Sequence, residues 1–255
     1  MVVGLGSLGA LVFALPLAAL VWRAPWRDLG DLLGDPALRD ALGLSLLTSV
    51  ATALVCLGLG LPLAWLLARY EFRGRRALRA LALLPMVLPP VVGGLALLLA
   101  FGRRGVVGQH LDAWFGIRLP FTTTAAIIAQ TFVALPFLVV TAESAFRAVD
   151  QRYEDAARTL GAGRATVFRR VTVPMCAPVL AAGVVLAWAR ALGEFGATIT
   201  FAGNVRGETQ TLPLSVFLQL ETGDVDGAIA ASLVLLAVSA AVLVGLREHW
   251  LGAIR

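Results

Sequence analysis

Six long apolar segments divide the chain and constrain its fold more than any other feature. They run approximately over Leu5–Val21, Ala41–Leu67, Leu81–Phe101, Thr123–Thr141, Ala177–Ile199 and Ala228–Leu246. A helix of about 20 apolar residues crosses the ~30 Å hydrocarbon core of a bilayer. The chain is 59% hydrophobic, with a mean hydropathy of +0.85, and a soluble domain of 255 residues cannot bury that much apolar surface. The sequence therefore predicts an all-α, polytopic membrane bundle with about six transmembrane helices.

The segments and loops define three predicted regions. Residues 1–40 hold the first transmembrane helix and an outer loop, residues 41–246 form the main membrane core with a long loop at 143–176, and residues 247–255 form a tail. A signal peptide is the alternative interpretation of the first segment. Because that segment lacks a positively charged start and a clear small-residue cleavage site, we expect a retained span.

Arginine supplies all 21 basic residues, and its distribution predicts the orientation of the chain. Thirteen arginines lie in the loops at 69–79 and 143–176 and in the tail, whereas seven lie in the loops on the opposite side. The positive-inside rule places the first set in the cytoplasm, together with both termini. The pI near 10.5 also fits a nucleic-acid-binding protein. Short loops between membrane spans explain the same charge better, so we expect no nucleic-acid partner.

Cysteine and histidine are too sparse for metal or nucleophile chemistry. Cys56 and Cys176 form no CxxC pattern, and His110 and His249 are isolated in loops or tails. Neither a disulfide framework nor a metal site is indicated. Because no nucleophile with a neighbouring base is visible either, we expect no catalytic residues and no intramembrane enzyme.

The third apolar segment contains strong helix breakers. Pro89 and Pro90 are followed by Gly93 and Gly94. Proline removes a backbone donor and kinks a helix. Irregular backbone at membrane depth is tolerated only where protein or a water-filled cavity satisfies it, as in transport pathways. The sequence leaves two interpretations open at Pro89 and Pro90, a pathway or hinge element and an ordinary kink.

The fifth apolar segment contains two charged residues at helical spacing. Arg190 and Glu194 are i,i+4 neighbours, and Thr198 follows one turn later. Each charge alone would cost roughly 2.5–3.5 kcal/mol at the bilayer centre, so we expect the two to pair and to face the bundle. The pair is either a structural ion pair reaching toward the outer surface or part of a gate.

The loop at 143–176 has the pattern of two short helices. Helix formers fill Tyr153–Leu160, Gly161 is suited to a left-handed cap, and Thr166–Thr172 predicts a second helix that stops before Pro174. The apolar side chains Leu160, Val167, Phe168 and Val171 are expected to share one face.

A short helix with small residues in this loop has two possible roles. Alanine permits close approach, so the helix suits a groove on a soluble partner, and acids near its N-terminus suit the helix dipole. An interfacial helix that merely rests on lipid is the alternative.

The loop resembles the EAA loop of bacterial ABC importer permeases, EAA-x3-G-x9-I-x-LP. The matching residues, at identical spacing, are Asp155-Ala156-Ala157, Gly161 and Val171-Thr172-Val173-Pro174. The departures are conservative, with Asp for Glu at 155 and Val for Ile and Leu at 171 and 173. Since Glu154 precedes Asp155, the sequence leaves open which acid contacts a partner.

This resemblance implies a type I ABC importer permease fold in which the loop forms a coupling helix. The residues expected to couple to an ATPase are Glu154, Asp155, Ala156, Ala157, Gly161 and Pro174. The chain has no G-x4-GK-[ST] motif and no lysine, so ATP and magnesium are expected on a separate ATPase subunit and no cofactor on this chain. The resemblance further implies a second copy of the chain, as a homodimer, and an extracytoplasmic oxyanion-binding protein in a bacterial plasma membrane.

Four further segments resemble the molybdate permeases of the sulfate/molybdate group, namely Leu84–Pro90, Phe101–Gly108, Ala189–Asn204 and Glu208–Leu212. The resemblance implies transport of molybdate, or of tungstate, which has the same size and charge. From the helix breakers and the charged pair described above, the candidates for a pathway or gate are Arg190, Glu194, Thr198, Pro89 and Pro90. A sulfate permease, or a secondary anion transporter without an ATPase, remains the alternative.

Overall fold

The computed structural model describes the backbone of residues 2–252 and the side chains of residues 4–242 and 244. Residues 253–255 of the predicted tail lie outside the described residues. The helices, in chain order, are α1 Val2–Trp22, α2 Leu29–Gly34, α3 Pro36–Arg69, α4 Arg75–Val87, α5 Pro90–Phe101, α6 Gly108–Phe115, α7 Thr123–Ala148, α8 Gln151–Thr159, α9 Arg164–Val167, a π turn Phe168–Thr172, α10 Val173–Leu192, α11 Gly196–Phe201, α12 Leu212–Glu221 and α13 Val225–Gly252. The all-α prediction is confirmed for the described part of the chain.

Among the described residues, five helical stretches are long and apolar enough to cross a membrane. They are Gly4–Trp22, Pro36–Arg69, Thr123–Ala148, Arg164–Leu192 and Val225–Val242. Each corresponds to one predicted segment, although most extend beyond the predicted bounds. The second begins earlier than expected because Asp35 caps it, accepting a hydrogen bond of 2.9 Å from the Ala37 N–H, and Pro36 occupies its first turn.

The third predicted segment, Leu81–Phe101, is not one continuous helix. It is broken into α4 and α5 at Leu88 and Pro89, whose ψ angles of 133° and 132° are extended. A proline disfavours helical backbone in the residue before it, so the Pro89–Pro90 pair pushes both preceding residues out of the helix. The sequence located the breakers correctly, and the structure shows that they end a helix rather than bend it.

The fifth predicted segment, Ala177–Ile199, has different bounds in the structure. The helix begins at Arg164 and runs through the π turn and α10 to Leu192. It then stops, and the separate short helix α11 follows from Gly196. The residues between the two helices include Glu194, which lies at a break rather than on a continuous helix.

The core of the bundle is α7, packed between α3 and α10. Small residues allow these helices to approach closely, as is common where membrane helices pack. A Cβ atom added at Gly60 would lie 3.1 Å from the Leu135 side chain, and one at Gly183 would lie 3.0 Å from Thr141. Near the end of α7 that leads into α8, the fully buried Phe146 ring fills the space between the three helices.

A buried polar network fastens α3 to α7. The Gln130 side chain donates to the Thr48 hydroxyl at 3.1 Å, and the Thr52 hydroxyl donates to the Gln130 carbonyl oxygen at 3.1 Å. All three side chains are buried, and each polar contact satisfies a group that lipid could not. This network sets the register of the two central helices.

The short helices α5 and α11 pack against each other at two glycines. A Cβ atom added at Gly94 would lie 2.7 Å from the Thr200 Cβ and 2.9 Å from the Ala197 Cα. One added at Gly196 would lie 2.9 Å from the Pro90 Cβ. The backbones therefore touch with no room for a methyl group, and this contact places the break before α5 beside the break before α11.

Gly94→Ala is expected to destabilise the protein by ~1–3 kcal/mol, because the added methyl group overpacks a backbone contact. Gly58→Ala in α3 is the matched control, since its methyl group would meet no atom within 4 Å. Thermal unfolding of the two detergent-solubilised variants measures the difference. Equal melting temperatures for Gly94→Ala and the wild type would show that α5 and α11 are not tightly packed.

Candidate functional site

Helix α8 carries the predicted coupling motif and has a well-defined start and end. The Asp150 side chain caps it, accepting a hydrogen bond of 2.9 Å from the Arg152 N–H. The helix ends at Thr159, and Gly161 takes the left-handed conformation with a φ of +84°. The Gly161 N–H donates to the Arg158 carbonyl at 2.9 Å. The predicted helix and left-handed glycine are thus both observed, with the helix shifted slightly toward the N-terminus.

The two adjacent acids of α8 differ in their exposure. Glu154 is buried, with 1% of its side chain exposed, whereas 65% of the Asp155 side chain is exposed. Ala156 is exposed beside Asp155, and Ala157 is half-buried. Asp155 is therefore the acid of the motif that is accessible at the surface of α8.

Glu154 is held by three other side chains. The Arg69 guanidinium lies 2.9 Å from Glu154 Oε1, and the Thr172 hydroxyl donates to the same oxygen at 3.0 Å. The Arg158 guanidinium donates to Oε2 at 3.3 Å. Arg69 also donates to the Val149 carbonyl at 3.0 Å, so the guanidinium is satisfied from two directions.

A second buried carboxylate fixes α4 at the same end of the bundle. Glu143 in α7 accepts hydrogen bonds from Arg79 in α4 and from Arg147 one turn later, the latter as an ion pair of 2.8 Å. Arg75 also donates to the Leu67 carbonyl near the end of α3, at 2.9 Å from Nε. The arginines of the loop at 69–79 therefore fasten α3, α4 and α7 to one another.

The second helix predicted in the loop does not stop before Pro174. It continues through the π turn, in which the Val173 N–H donates to the Phe168 carbonyl, and Pro174 lies in the first turn of α10. Proline lacks an N–H, and the widened turn before it accommodates the missing donor. Pro174 therefore belongs to a long membrane helix and not to α8.

The prediction that Leu160 shares an apolar face with Val167 is wrong. Leu160 is 89% exposed, whereas Val167 is fully buried. The helical period that placed them on one face does not continue past Thr159, because the chain reverses at Gly161. The predicted loop 143–176 is also shorter than expected, since Glu143 lies in α7 and Cys176 lies in α10.

Arg190 and Glu194 form the predicted ion pair. Their closest atoms are 2.5 Å apart, and 27% of the Arg190 side chain and 1% of the Glu194 side chain are exposed. The second Glu194 oxygen accepts a hydrogen bond of 2.8 Å from the Ala197 N–H. Glu194 therefore neutralises a cation at the end of α10 and satisfies a free backbone donor at the start of α11.

The remaining pathway candidates lie around the same two breaks. Pro90 packs against Gly196, which follows Glu194 by two positions, so Pro90 lies beside the break that contains Glu194. Thr198 is fully buried in α11, and its hydroxyl has no hydrogen-bond partner within the described part of the chain. Pro89 is exposed at the break between α4 and α5. The structure thus gathers the pathway candidates into one region where two helices are interrupted.

At the opposite end of α7 from α8, Asp112 in α6 holds two arginines. It accepts hydrogen bonds from Arg118 at 2.9 Å and from Arg103 at 3.1 Å. The bond from Arg118, with the second bond and the charges of both arginines, holds the pKa of the Asp112 carboxyl below its usual range. Arg103 and Asp112, with Arg104, line an open cavity of about 460 Å³.

Sequence reasoning missed the partners of Glu154. Arg69 is 85 positions away along the chain, and Thr172 is 18 positions away. The sequence offered two signals, namely an acid in a short polar helix and an arginine at the end of an apolar segment. Neither signal predicts a particular pair.

The fold is that of the membrane subunits of ABC importers. A bacterial ABC transporter that imports the acidic polysaccharide alginate is similar over 95% of this chain and 91% of its own, with a TM-score of 0.77 at 20% identity. The family described as binding-protein-dependent transport system inner membrane component matches residues 60–250.

Two curated relatives align over nearly the whole chain. The molybdenum transport system permease protein ModB of Mycobacterium tuberculosis is 50% identical over 242 residues, covering 94% of this chain and 91% of the relative. The sulfate transport system permease protein CysT of Salmonella typhimurium is 39% identical over 232 residues, covering 90% and 83%. The chain therefore belongs to the family of binding-protein-dependent transport system inner membrane components, and it is a multi-pass membrane protein.

Gly161→Ala is expected to loosen the end of α8, because a left-handed backbone costs ~1–2 kcal/mol at a residue with a Cβ atom. Amide hydrogen exchange in residues 158–162 should accelerate about tenfold. Gly163→Ala is the control, since its φ of −68° suits any residue and its Cβ would meet open space. Equal protection in both variants would contradict a structural need for glycine at 161.

Arg190→Met is expected to destabilise the protein by about 3–5 kcal/mol, because it leaves Glu194 charged and buried without its partner. Adding Glu194→Gln should recover most of this loss, since glutamine keeps an acceptor for the Ala197 N–H. Thermal unfolding of the single and double variants measures the coupling. Arg206→Met is the control, because the Arg206–Asp40 pair is more than half exposed and such pairs contribute about 0–1 kcal/mol. Additive effects at 190 and 194 would refute the pairing.

Proposed function

We propose that this chain is the membrane-spanning subunit of an ATP-driven, binding-protein-dependent importer that carries molybdate, or the equally sized and charged tungstate, across a bacterial plasma membrane. The observation that carries the proposal is 50% identity to a molybdenum permease over 94% of the chain. The sulfate permease of Salmonella typhimurium, at 39%, supports sulfate as the second candidate cargo.

Helix α8 is the proposed contact with a cytoplasmic ATPase subunit. Its exposed residues include Asp155, which offers a charged contact, and Ala156, whose small side chain allows close approach, and Gly161 supplies the left-handed turn after the helix. ATP and magnesium are proposed to bind to the ATPase subunit, and this chain is proposed to have no catalytic site of its own. The arginine-rich loops on the α8 side support a cytoplasmic location for both termini.

The translocation pathway is proposed to pass the region between α5 and α11. Two helix breaks meet there, and the region contains Arg190, Glu194, the Thr198 hydroxyl and the exposed Pro89 and Pro90. Discontinuous helices of this kind supply polar groups at membrane depth and change shape with little loss of packing. A second copy of the chain is proposed to complete the pathway as a homodimer.

Cargo selection is proposed to depend mainly on an extracytoplasmic oxyanion-binding protein. A tetrahedral dianion favours arginine and backbone N–H donors. Arg103 and Arg118 share one carboxylate, Asp112, at the end of the bundle proposed to face outward. This exposed arginine cluster is suited to contact an acidic partner surface rather than to enclose a dry anion.

ATP-driven uptake in proteoliposomes tests the proposed function. The chain is reconstituted with candidate ATPase and oxyanion-binding subunits, and uptake of labelled molybdate is measured with ATP or with a non-hydrolysable analogue. Uptake should require ATP hydrolysis and the binding protein and should persist when a protonophore is added. Unlabelled tungstate should compete with molybdate, and excess sulfate should not.

Two results would contradict the proposal. Uptake driven by a proton gradient without an ATPase subunit would identify a secondary transporter. Preferential competition by sulfate would replace molybdate by sulfate as the cargo while leaving the importer mechanism intact.

A further inference from the structure

Glu154 connects three parts of the chain that are far apart in sequence. It lies on α8, its ion-pair partner Arg69 is the last residue of α3, and its hydrogen-bond donor Thr172 ends the π turn that precedes α10. The two contacts to Oε1 are 2.9 Å and 3.0 Å. One carboxylate therefore ties the proposed ATPase contact to two membrane helices at once.

The contact of Glu154 with Arg69 and Thr172 is buried, so it stabilises the protein only when its geometry is good. The exposed fractions are 7% for the Arg69 side chain, 1% for Glu154 and 0% for the Thr172 residue. A buried ion pair offsets the loss of hydration only when its geometry is good and its remaining donors are satisfied. Here Arg69 also donates to the Val149 carbonyl between α7 and α8, so a displacement of α8 strains several charge-assisted bonds together.

The π turn supports the same connection from the α10 side. Its wider winding places Thr172 against Glu154, and π turns inside helices are frequent at functional sites. The Phe168 ring in this turn packs against Trp65 of α3 at 4.9 Å and against Phe146 of α7 at 6.0 Å between centroids. Apolar packing therefore braces the turn on the side away from Glu154.

The helix that begins at Arg164 continues without interruption to Leu192. Thr172 and Arg190 are 18 positions apart on it, which corresponds to about 27 Å along the axis. A displacement applied at Thr172 is therefore carried by a continuous helix to the Arg190–Glu194 pair beside the break before α11. Among the described residues, the side-chain hydrogen bonds that join α8 to α3 and to the π turn before α10 are those of Glu154.

We propose that Glu154 is a positioning residue that locks α8 to α3 and α10, so that movement of α8 by the ATPase reaches the pathway, whereas Asp155 belongs to the docking surface. The inference rests on the proposed function and deepens it. The two adjacent acids have separate tasks: Asp155 determines whether the ATPase binds, and Glu154 determines whether ATP hydrolysis moves the cargo.

The test uses the complete complex in proteoliposomes with Glu154→Gln, which keeps the side-chain shape and removes the charge. The ATPase should co-purify at the wild-type ratio, and the amount of molybdate taken up per ATP hydrolysed should fall about tenfold. Glu71→Gln is the matched control, because Glu71 is exposed in the loop after α3 on the same side of the bundle. Its ratio of uptake to hydrolysis should equal that of the wild type.

Glu154→Gln leaves the buried Arg69 charge unpaired and could prevent folding. A second pair of variants, at Thr172, makes a smaller change to the same contact. Thr172→Val removes the hydroxyl at nearly constant volume, and Thr172→Ser keeps it. Thr172→Val should lower uptake per ATP several-fold, by about the strength of one hydrogen bond to a charged group, and Thr172→Ser should restore it. If Thr172 acted through packing alone, Thr172→Val, which keeps the side-chain volume, would not lower uptake per ATP more than Thr172→Ser.

Three results would overturn the inference. These are an unchanged ratio of uptake to hydrolysis in both Glu154→Gln and Thr172→Val, loss of ATPase co-purification in parallel with uptake, and equal losses in Thr172→Val and Thr172→Ser. A wild-type complex without ATP-driven uptake would instead overturn the proposed function and this inference with it. Wild-type activity with unaffected variants would overturn the inference alone.

Discussion

Backbone amides inside a bilayer have no water to bond to, so every interruption of a membrane helix needs a substitute partner. Several irregular points of the backbone in this protein have one. The Glu194 carboxylate accepts the Ala197 N–H where α10 gives way to α11, and the Val173 N–H reaches back to the Phe168 carbonyl just before Pro174. Backbone amides of the turn after α5 bond to the last carbonyls of that helix. Because these backbone groups are satisfied, irregular segments persist within the bundle, including the break between α10 and α11 beside the proposed pathway.

At the α8 end of the bundle, single side chains also bond to several groups at once. Arg69 is the last residue of α3. Its guanidinium forms an ion pair with Glu154 and donates a hydrogen bond to the Val149 carbonyl between α7 and α8. Glu143 performs a comparable task for α4 and α7 through Arg79. The arginines whose distribution predicts the orientation of the chain therefore also hold the helices together. Their number on this side serves both orientation in the membrane and helix packing.

Local patterns in the sequence predicted local structure well. The apolar segments, the left-handed Gly161 and the i,i+4 pair of Arg190 and Glu194 all depend on neighbours within about one or two helical turns. The errors arose where tertiary packing decided the outcome. Pro174 ends a helix by local rules, yet a π turn carries the helix past it. The partnership of Arg69 with Glu154 spans 85 positions and depends on how α3, α7 and α8 meet, which no local pattern encodes.

The different exposures of Glu154 and Asp155 give α8 two different electrostatic environments one residue apart. The Asp155–Arg158 contact is exposed on both sides, and dissolved ions with a Debye length of about 8–10 Å screen such a pair. The Arg69–Glu154 contact is shielded by protein, and salt hardly reaches it. If α8 binds the proposed ATPase subunit, ionic strength is expected to change that association more than it changes the Arg69–Glu154 contact behind it. Affinity and mechanical transmission would in this way be adjusted largely by different residues, with Arg158, which contacts both acids, as the link between them.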